Sequence, residues 1–276
     1  MVGPVRLGIS TYSFWRFKGR KQPLKTYLKK ACDLGFSGVE ILQDHIESTS
    51  PEYLKEIRRF AFLHGLSIYC ISIHNDFVNP SKEERRKEIE FVKKWIDVAY
   101  TLGATAIRIN SGRWRTIKSF DELMARGGIE PPIEGYTDED AIRWVVESIE
   151  ACLTHAEDRG IILGLENHWG LTTRAEQMLK IVRMIRSDWF GVIMDTGNFI
   201  YDTYRELELI APYTVMVHAK TYFGGGLWYT LDLDYSRIFQ ILRKVGFRGW
   251  ISLEYEGKEE CEKGILKSKE LLEGYL

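Results

Sequence analysis

Four short apolar runs in this chain each stop at a side chain able to bind a cation or carry a proton. Ile161 to Leu165 ends at Glu166, Phe190 to Met194 at Asp195, Thr214 to Val217 at His218, and Trp250 to Leu253 at Glu254. Three carboxylates and one neutral imidazole make a donor set dominated by hard oxygens. With positions left for substrate oxygens, such a set suits one divalent ion: manganese first, with magnesium, cobalt or zinc as alternatives. A purely structural zinc would favour thiolates, whereas Cys32, Cys70, Cys152 and Cys261 stand far apart without CxxC spacing and read as reduced packing residues. Simple solvation at a strand end is the plainer reading of any one of the four. Their recurrence at the same point of successive units argues for a shared site.

The elements that position these residues follow from the rhythm of the chain. Short apolar runs fit strands buried on both faces, as in a parallel sheet covered by helices, and segments of helix-plus-loop length separate them. Eight strands are expected, near 5–10, 37–42, 66–73, 104–110, 161–166, 190–195, 214–218 and 249–254. Helix starts are marked by Ser50-Pro51, by Ser81 with Glu84, by Thr137 with Asp140 and by Thr173 with Glu176. Ile142, Val145, Ile149, Cys152 and Ala156 form the apolar stripe of the helix before Glu166. The fold class is therefore α/β, a single (β/α)8 TIM barrel over residues 1–276, close to the roughly 250 residues usual for that fold. Parallel strands of one barrel carry all four polar ends to one rim.

Composition narrows the partners. Thirty-eight basic against 39 acidic residues leave a net charge of −1, so no general basic field attracts a nucleic acid, and a small molecule is the expected partner. No run approaches a membrane span, and MVGPVRLGIS lacks the charged and long apolar regions of a leader, which places the protein in the cytoplasm. A homo-oligomer stays open.

Other residues at the strand ends are candidate substrate contacts. Tyr12 and Trp15, after the first strand, offer rings to the C–H face of a sugar, or merely cover the barrel end. His74 closes the third strand and Asn110 the fourth, beside Arg108. The long connection that follows, with Arg113, Trp114 and Arg115, is expected to act as a lid or a substrate wall. His168 follows Glu166 and Asn198 follows Asp195. Lys220 lies two residues beyond His218 and is expected to face the same cavity, and Trp228 belongs to the glycine- and aromatic-rich loop AKTYFGGGLWYTLDLDY. Glu40, inside the apolar run GVEIL, is either an internally hydrogen-bonded carboxylate or a site residue, with the balance slightly towards the site.

The segments LGISTYSFW, GVEIL, LGLENH, MDTGN, VHAK and WISLEYEG together resemble the xylose isomerase-like barrels of the sugar isomerase and epimerase group, a family related also to endonuclease IV. The resemblance spans nearly the whole chain and is most specific in the last four segments. It implies that Glu166, Asp195, His218 and Glu254 bind one divalent metal, and that Glu166 and Glu254 transfer protons on opposite sides of the substrate. In that chemistry, taking a proton from carbon beside a carbonyl gives an enediolate, which a metal chelating the carbonyl and its neighbouring hydroxyl stabilises. The substrate implied is a monosaccharide or keto-polyol, turned over by epimerisation or isomerisation. A dehydratase or lyase on a keto-sugar or inosose, with Lys220 or His168 helping the leaving group, begins with the same step, and a sugar-binding barrel without turnover is the third alternative. Two departures stand out. Many ketose epimerases of the group carry a histidine where this chain has Asn198 and an arginine where it runs through Gly224 to Gly226. Asn110 and Asn198 also stand where a three-metal endonuclease would need further ligands.

Overall fold

A computed structural model describes residues 5–276; the first four residues of the N-terminal stretch read above for a leader lie outside them. Eight parallel strands, β1 (Arg6–Ser10), β2 (Gly38–Leu42), β3 (Ser67–Ser72), β4 (Ala106–Ile109), β5 (Ile162–Glu166), β6 (Phe190–Asp195), β7 (Thr214–Thr221) and β8 (Trp250–Tyr255), pair in sequence order. β8 pairs back onto β1 and closes the barrel. Seven strands keep the bounds expected from the sequence to within two residues. β7 runs three residues beyond His218, because Lys220 and Thr221 continue its ladder against Glu254 and Tyr255 of β8.

Nine α-helices among the described residues surround the sheet: α1 (Leu24–Asp33), α2 (Pro51–Leu63), α3 (Lys82–Leu102), α4 (Phe120–Ala125), α5 (Asp138–Arg159), α6 (Ala175–Met184), α7 (Thr203–Ile210), α8 (Tyr235–Lys244) and α9 (Cys261–Glu273). The apolar stripe read on α5 is buried throughout. Its start is a full capping box, Thr137 and Asp140 each accepting from the other's backbone N–H. At α3 only half of that device forms, Ser81 accepting from Glu84. α6 starts at Ala175 and not at Thr173: the Thr173 hydroxyl donates to Gly170 instead, and the Ala175 N–H is received by Glu206 of α7. None of the described helices is long and apolar enough to cross a membrane.

Inside the barrel the two ends differ. Tyr69, Cys70, Ile193 and Met216 pack as an apolar plug towards the amino ends of the strands. The ring of Tyr69 fills the space that glycine leaves at position 8, where a Cβ would come within 2.4 Å of it. Above this plug the inward positions turn polar, with Ser72, Ser252 and Glu40 followed by the strand-end residues. The sheet thus presents a dry floor below a charged layer at one rim.

Candidate active site

Alternation along each strand decides which side chains meet over the plug. Glu166 ends β5 and Asp195 ends β6, while His218 and Lys220 lie two apart on β7, as do Ser252 and Glu254 on β8. Three carboxylates converge on one imidazole nitrogen: Nδ1 of His218 is 2.8 Å from Glu166 Oε1, 3.7 Å from Glu254 Oε1 and 3.9 Å from Asp195 Oδ2. One ligand atom from each of the four lies within 4.8 Å of every other, and all four residues are buried. The far side of the ring is engaged, His218 Nε2 lying 3.0 Å from Glu40 Oε1. With Glu40 accepting from Nε2–H, Nδ1 is the nitrogen that would turn its lone pair to a cation, the arrangement in which a carboxylate orients a metal-binding histidine. Glu40, read as lying between a core and a site role, supports the site from beneath; it also accepts from Ser72 and Ser252.

The charge pattern fits a cation. Glu166 Oε2 is 3.5 Å from Arg108 Nε, and Asp195 Oδ2 is 3.2 Å from Lys220 Nζ, yet neither oxygen has an aligned hydrogen bond. Buried carboxylate oxygens left in that condition are costly unless something positive binds them. Burial, reinforced by Glu166 and Glu254 against the pull of Lys220, pushes Asp195 up to about 8. Burial alone would also raise Glu166, but Arg108, His168 and His218 hold it well below the usual carboxylate range. His218 is driven well above its ordinary value, burial being outweighed by Glu40, Glu254 and Glu166. An imidazole whose charged form is favoured by three surrounding carboxylates marks a place that lacks positive charge, and Glu166, Asp195, His218 and Glu254 are the residues that would supply a divalent ion with three oxygens and one nitrogen.

Two permanent cations flank this group. Lys220 Nζ lies 2.7 Å from Glu254 Oε2 and 3.0 Å from Glu256 Oε1, and Tyr12 donates to the same Glu256 oxygen at 2.9 Å. On the other side Arg108 donates to the Ile73 carbonyl at 2.8 Å and to Asn110 Oδ1 at 3.1 Å. A cleft of about 330 Å³ opens above them, with Glu166 and Glu254 both on its wall. Of the expected substrate contacts, Tyr12, His74, His168, Asn198, Lys220 and Trp228 line it. Burial keeps His168 neutral, its value lowered to about 3.

Trp15, Asn110 and Arg113 lie elsewhere. Trp15 packs on Phe17 and His45, its indole N–H bound to the Gly19 carbonyl. Asn110 is spent on Arg108 and on Asn75, with which it exchanges backbone-to-amide hydrogen bonds. Arg113 pairs with the buried Glu130, which also accepts from the backbone of Arg115 and Ile117 and so pins the long connection. Arg108 and Glu256 join the cleft without having been singled out as contacts. Glu256 was visible as the next inward position after Glu254, two residues on; Arg108 was visible beside the strand-end Asn110, which it precedes by two residues.

The chain belongs to the xylose isomerase-like TIM barrel family, which it matches over residues 28–275. An uncharacterized protein of Methanocaldococcus jannaschii is 22% identical over 287 residues, covering 99% of this chain and 89% of the other. Among solved structures, D-psicose 3-epimerase with D-tagatose from Clostridium cellulolyticum H10 superposes with a TM-score of 0.80 at 15% identity, over 99% of both chains. The IOLI protein with a bound zinc atom superposes with a TM-score of 0.73 at 16% identity, again over 99% of both. At these identities the structural likeness speaks for the fold.

Proposed function

We propose that this protein is a divalent-metal-dependent isomerase or epimerase that moves a proton beside the carbonyl of a monosaccharide or keto-polyol. One observation carries the reading: two buried glutamates, Glu166 and Glu254, face one cleft, and each places one oxygen near His218 Nδ1 while keeping a second. The names of the epimerase and zinc-bound neighbours support the same class. Glu166, Asp195, His218 and Glu254 would hold a divalent ion, which would supply positive charge for the oxyanion that develops when a carbon beside a carbonyl loses its proton.

The chain's own residues do the rest. Glu166 stands beside Arg108 as the carboxylate, the form with an open lone pair for a proton, and Arg108 is itself fixed by Ile73 and Asn110 so that the carboxylate has a defined direction. Glu254 is oriented from the other side by Lys220, whose ammonium the surrounding carboxylates hold charged. Tyr12 and Glu256 fix that lysine in turn. With two carboxyl groups restrained from opposite sides of one cleft, one as carboxylate can take the proton from one face of a carbon while the other, carrying a solvent-derived proton, delivers that proton to the opposite face.

Exchange in deuterated water tests this. With manganese-loaded protein and a panel of ketoses, solvent deuterium should enter the substrate without elimination, and Glu166→Gln or Glu254→Gln should cut the rate by on the order of 100-fold to 10,000-fold. Elimination products would assign the site to a dehydratase. No deuteration of any sugar, with metal bound, would make it a binding barrel.

A further inference from the structure

The mouth of the cleft is built from different material than its floor. Phe17 after β1, Phe120 and Met124 on α4, Trp169 after β5 and Trp228 after β7 surround it. Phe120 stands edge-on to both indoles, with ring centroids 5.0 Å from Trp169 and 4.9 Å from Trp228, so three separate connections share one aromatic wall. Phe17 remains 49% and Trp228 39% exposed. Large rings left open above a charged floor form a surface ready to cover something flat.

The same cleft offers nothing to a phosphate. Among the described residues that line it, Arg108 and Lys220 are the permanent cations, and both are already committed to carbonyl, amide and carboxylate oxygens. The basic pair of the long connection is also taken, Arg113 by Glu130 and Arg115 by Asp76. A phosphate ester would meet carboxylates and rings where it needs an open fork of donors.

We infer that the substrate is a neutral glycoside, with its reacting ring over the four ligand residues and a second ring, sugar or aromatic, lying against Trp228, Phe120 and Trp169. The position of the reacting ring rests on the function proposed above; the second-ring subsite rests on the aromatic wall alone. Sugar and aryl rings share the property that matters, a flat C–H or π face that stacks on an indole.

Calorimetric titration of the manganese-loaded protein with D-glucose, D-glucose 6-phosphate, cellobiose and phenyl β-D-glucoside separates the possibilities. At least one two-ring probe should bind about ten-fold more tightly than glucose, the phosphate ester should gain nothing over glucose, and cellobiose against phenyl glucoside tells a sugar from an aryl second ring. In Trp228→Ala, whose side chain is too exposed for its loss to empty the core, the ratio of two-ring to one-ring affinity should fall towards one. A tighter phosphate ester, or no two-ring probe tighter than glucose, would overturn the inference, as would a ratio untouched in both Trp228→Ala and Phe120→Ala. Deuterium exchange into a panel of ketoses and keto-glycosides is followed alongside. Exchange without a two-ring preference overturns this inference and leaves the isomerase reading standing, whereas a two-ring preference without exchange overturns the isomerase reading and keeps the subsite.

Discussion

Glu40 shows how much one residue beneath a site can decide. It is fully buried, accepts from two serines and faces His218 Nε2, so its charge is answered on every side by donors. Burial would raise its value, but His218 and both hydroxyls bring it below its ordinary value. Glu40→Gln keeps the side-chain shape and one acceptor while removing the charge that makes the imidazole basic. Manganese affinity should therefore fall about 10-fold to 100-fold with all four ligands intact, the usual cost of losing such a partner. Titration calorimetry measures it, and an unchanged affinity would show that Glu40 serves only to fill the barrel. At this scale the sequence was informative where a polar residue interrupts an apolar run, as at Glu40 and Glu166. It was silent where side chains spend themselves on each other: Arg113 looked available and is held by Glu130, a partner 17 residues away across a loop whose path no periodicity reveals.

At the scale of elements, the rim is held by side chains that extend the strand ladders. Thr11 accepts from the Leu42 N–H between β1 and β2, Asn75 bridges β3 and β4, Asn167 exchanges two hydrogen bonds with Asp195 between β5 and β6, and Thr196 accepts from Lys220 between β6 and β7. These contacts fix Glu166, Asp195 and Lys220 where the regular ladder has ended. The strands themselves were legible because burial on both faces writes a continuous apolar run, and helix starts such as Thr137 because the cap is local. The start of α6 was not, since its cap comes from Glu206 in another helix. One of these rim contacts titrates. His45, in the turn after β2, places Nδ1 2.9 Å from Thr11 Oγ1 and leaves Nε2 buried without a partner, so burial lowers it to about 4. The unfolded chain then binds a proton below about 6.5 that the folded chain refuses until about 4, and stability is lost as pH falls through that window. The loss amounts to on the order of 3 kcal/mol. Urea midpoints at pH 7.5 and 5 should accordingly drop further for the natural protein than for His45→Gln. Equal drops would mean that His45 is hydrated in the folded state.

For the molecule as a whole, closing the barrel gathers five carboxylates, Glu40, Glu166, Asp195, Glu254 and Glu256, around two permanent cations, Arg108 and Lys220. Folding without a metal therefore concentrates unbalanced negative charge, which the raised values of Asp195 and His218 relieve only in part. A ligand that binds the folded barrel and not the unfolded chain stabilises by mass action, about 2.7 kcal/mol at 100 times its dissociation constant. For a protein of this size that corresponds to a rise in melting temperature of roughly 5–10 °C. Manganese added to chelator-treated protein should produce such a rise. Asp195→Asn separates charge crowding from metal binding, because it removes one ligand together with a carboxyl that has to ionise among like charges before it can hold a cation, while its Oδ1 can still accept from Gly197. The metal-free variant should melt no lower than the metal-free natural protein, and manganese should barely move it. A natural protein indifferent to manganese, or a variant that gains as much as the natural protein does, would show that the carboxylates gathered at this rim do not form a metal centre.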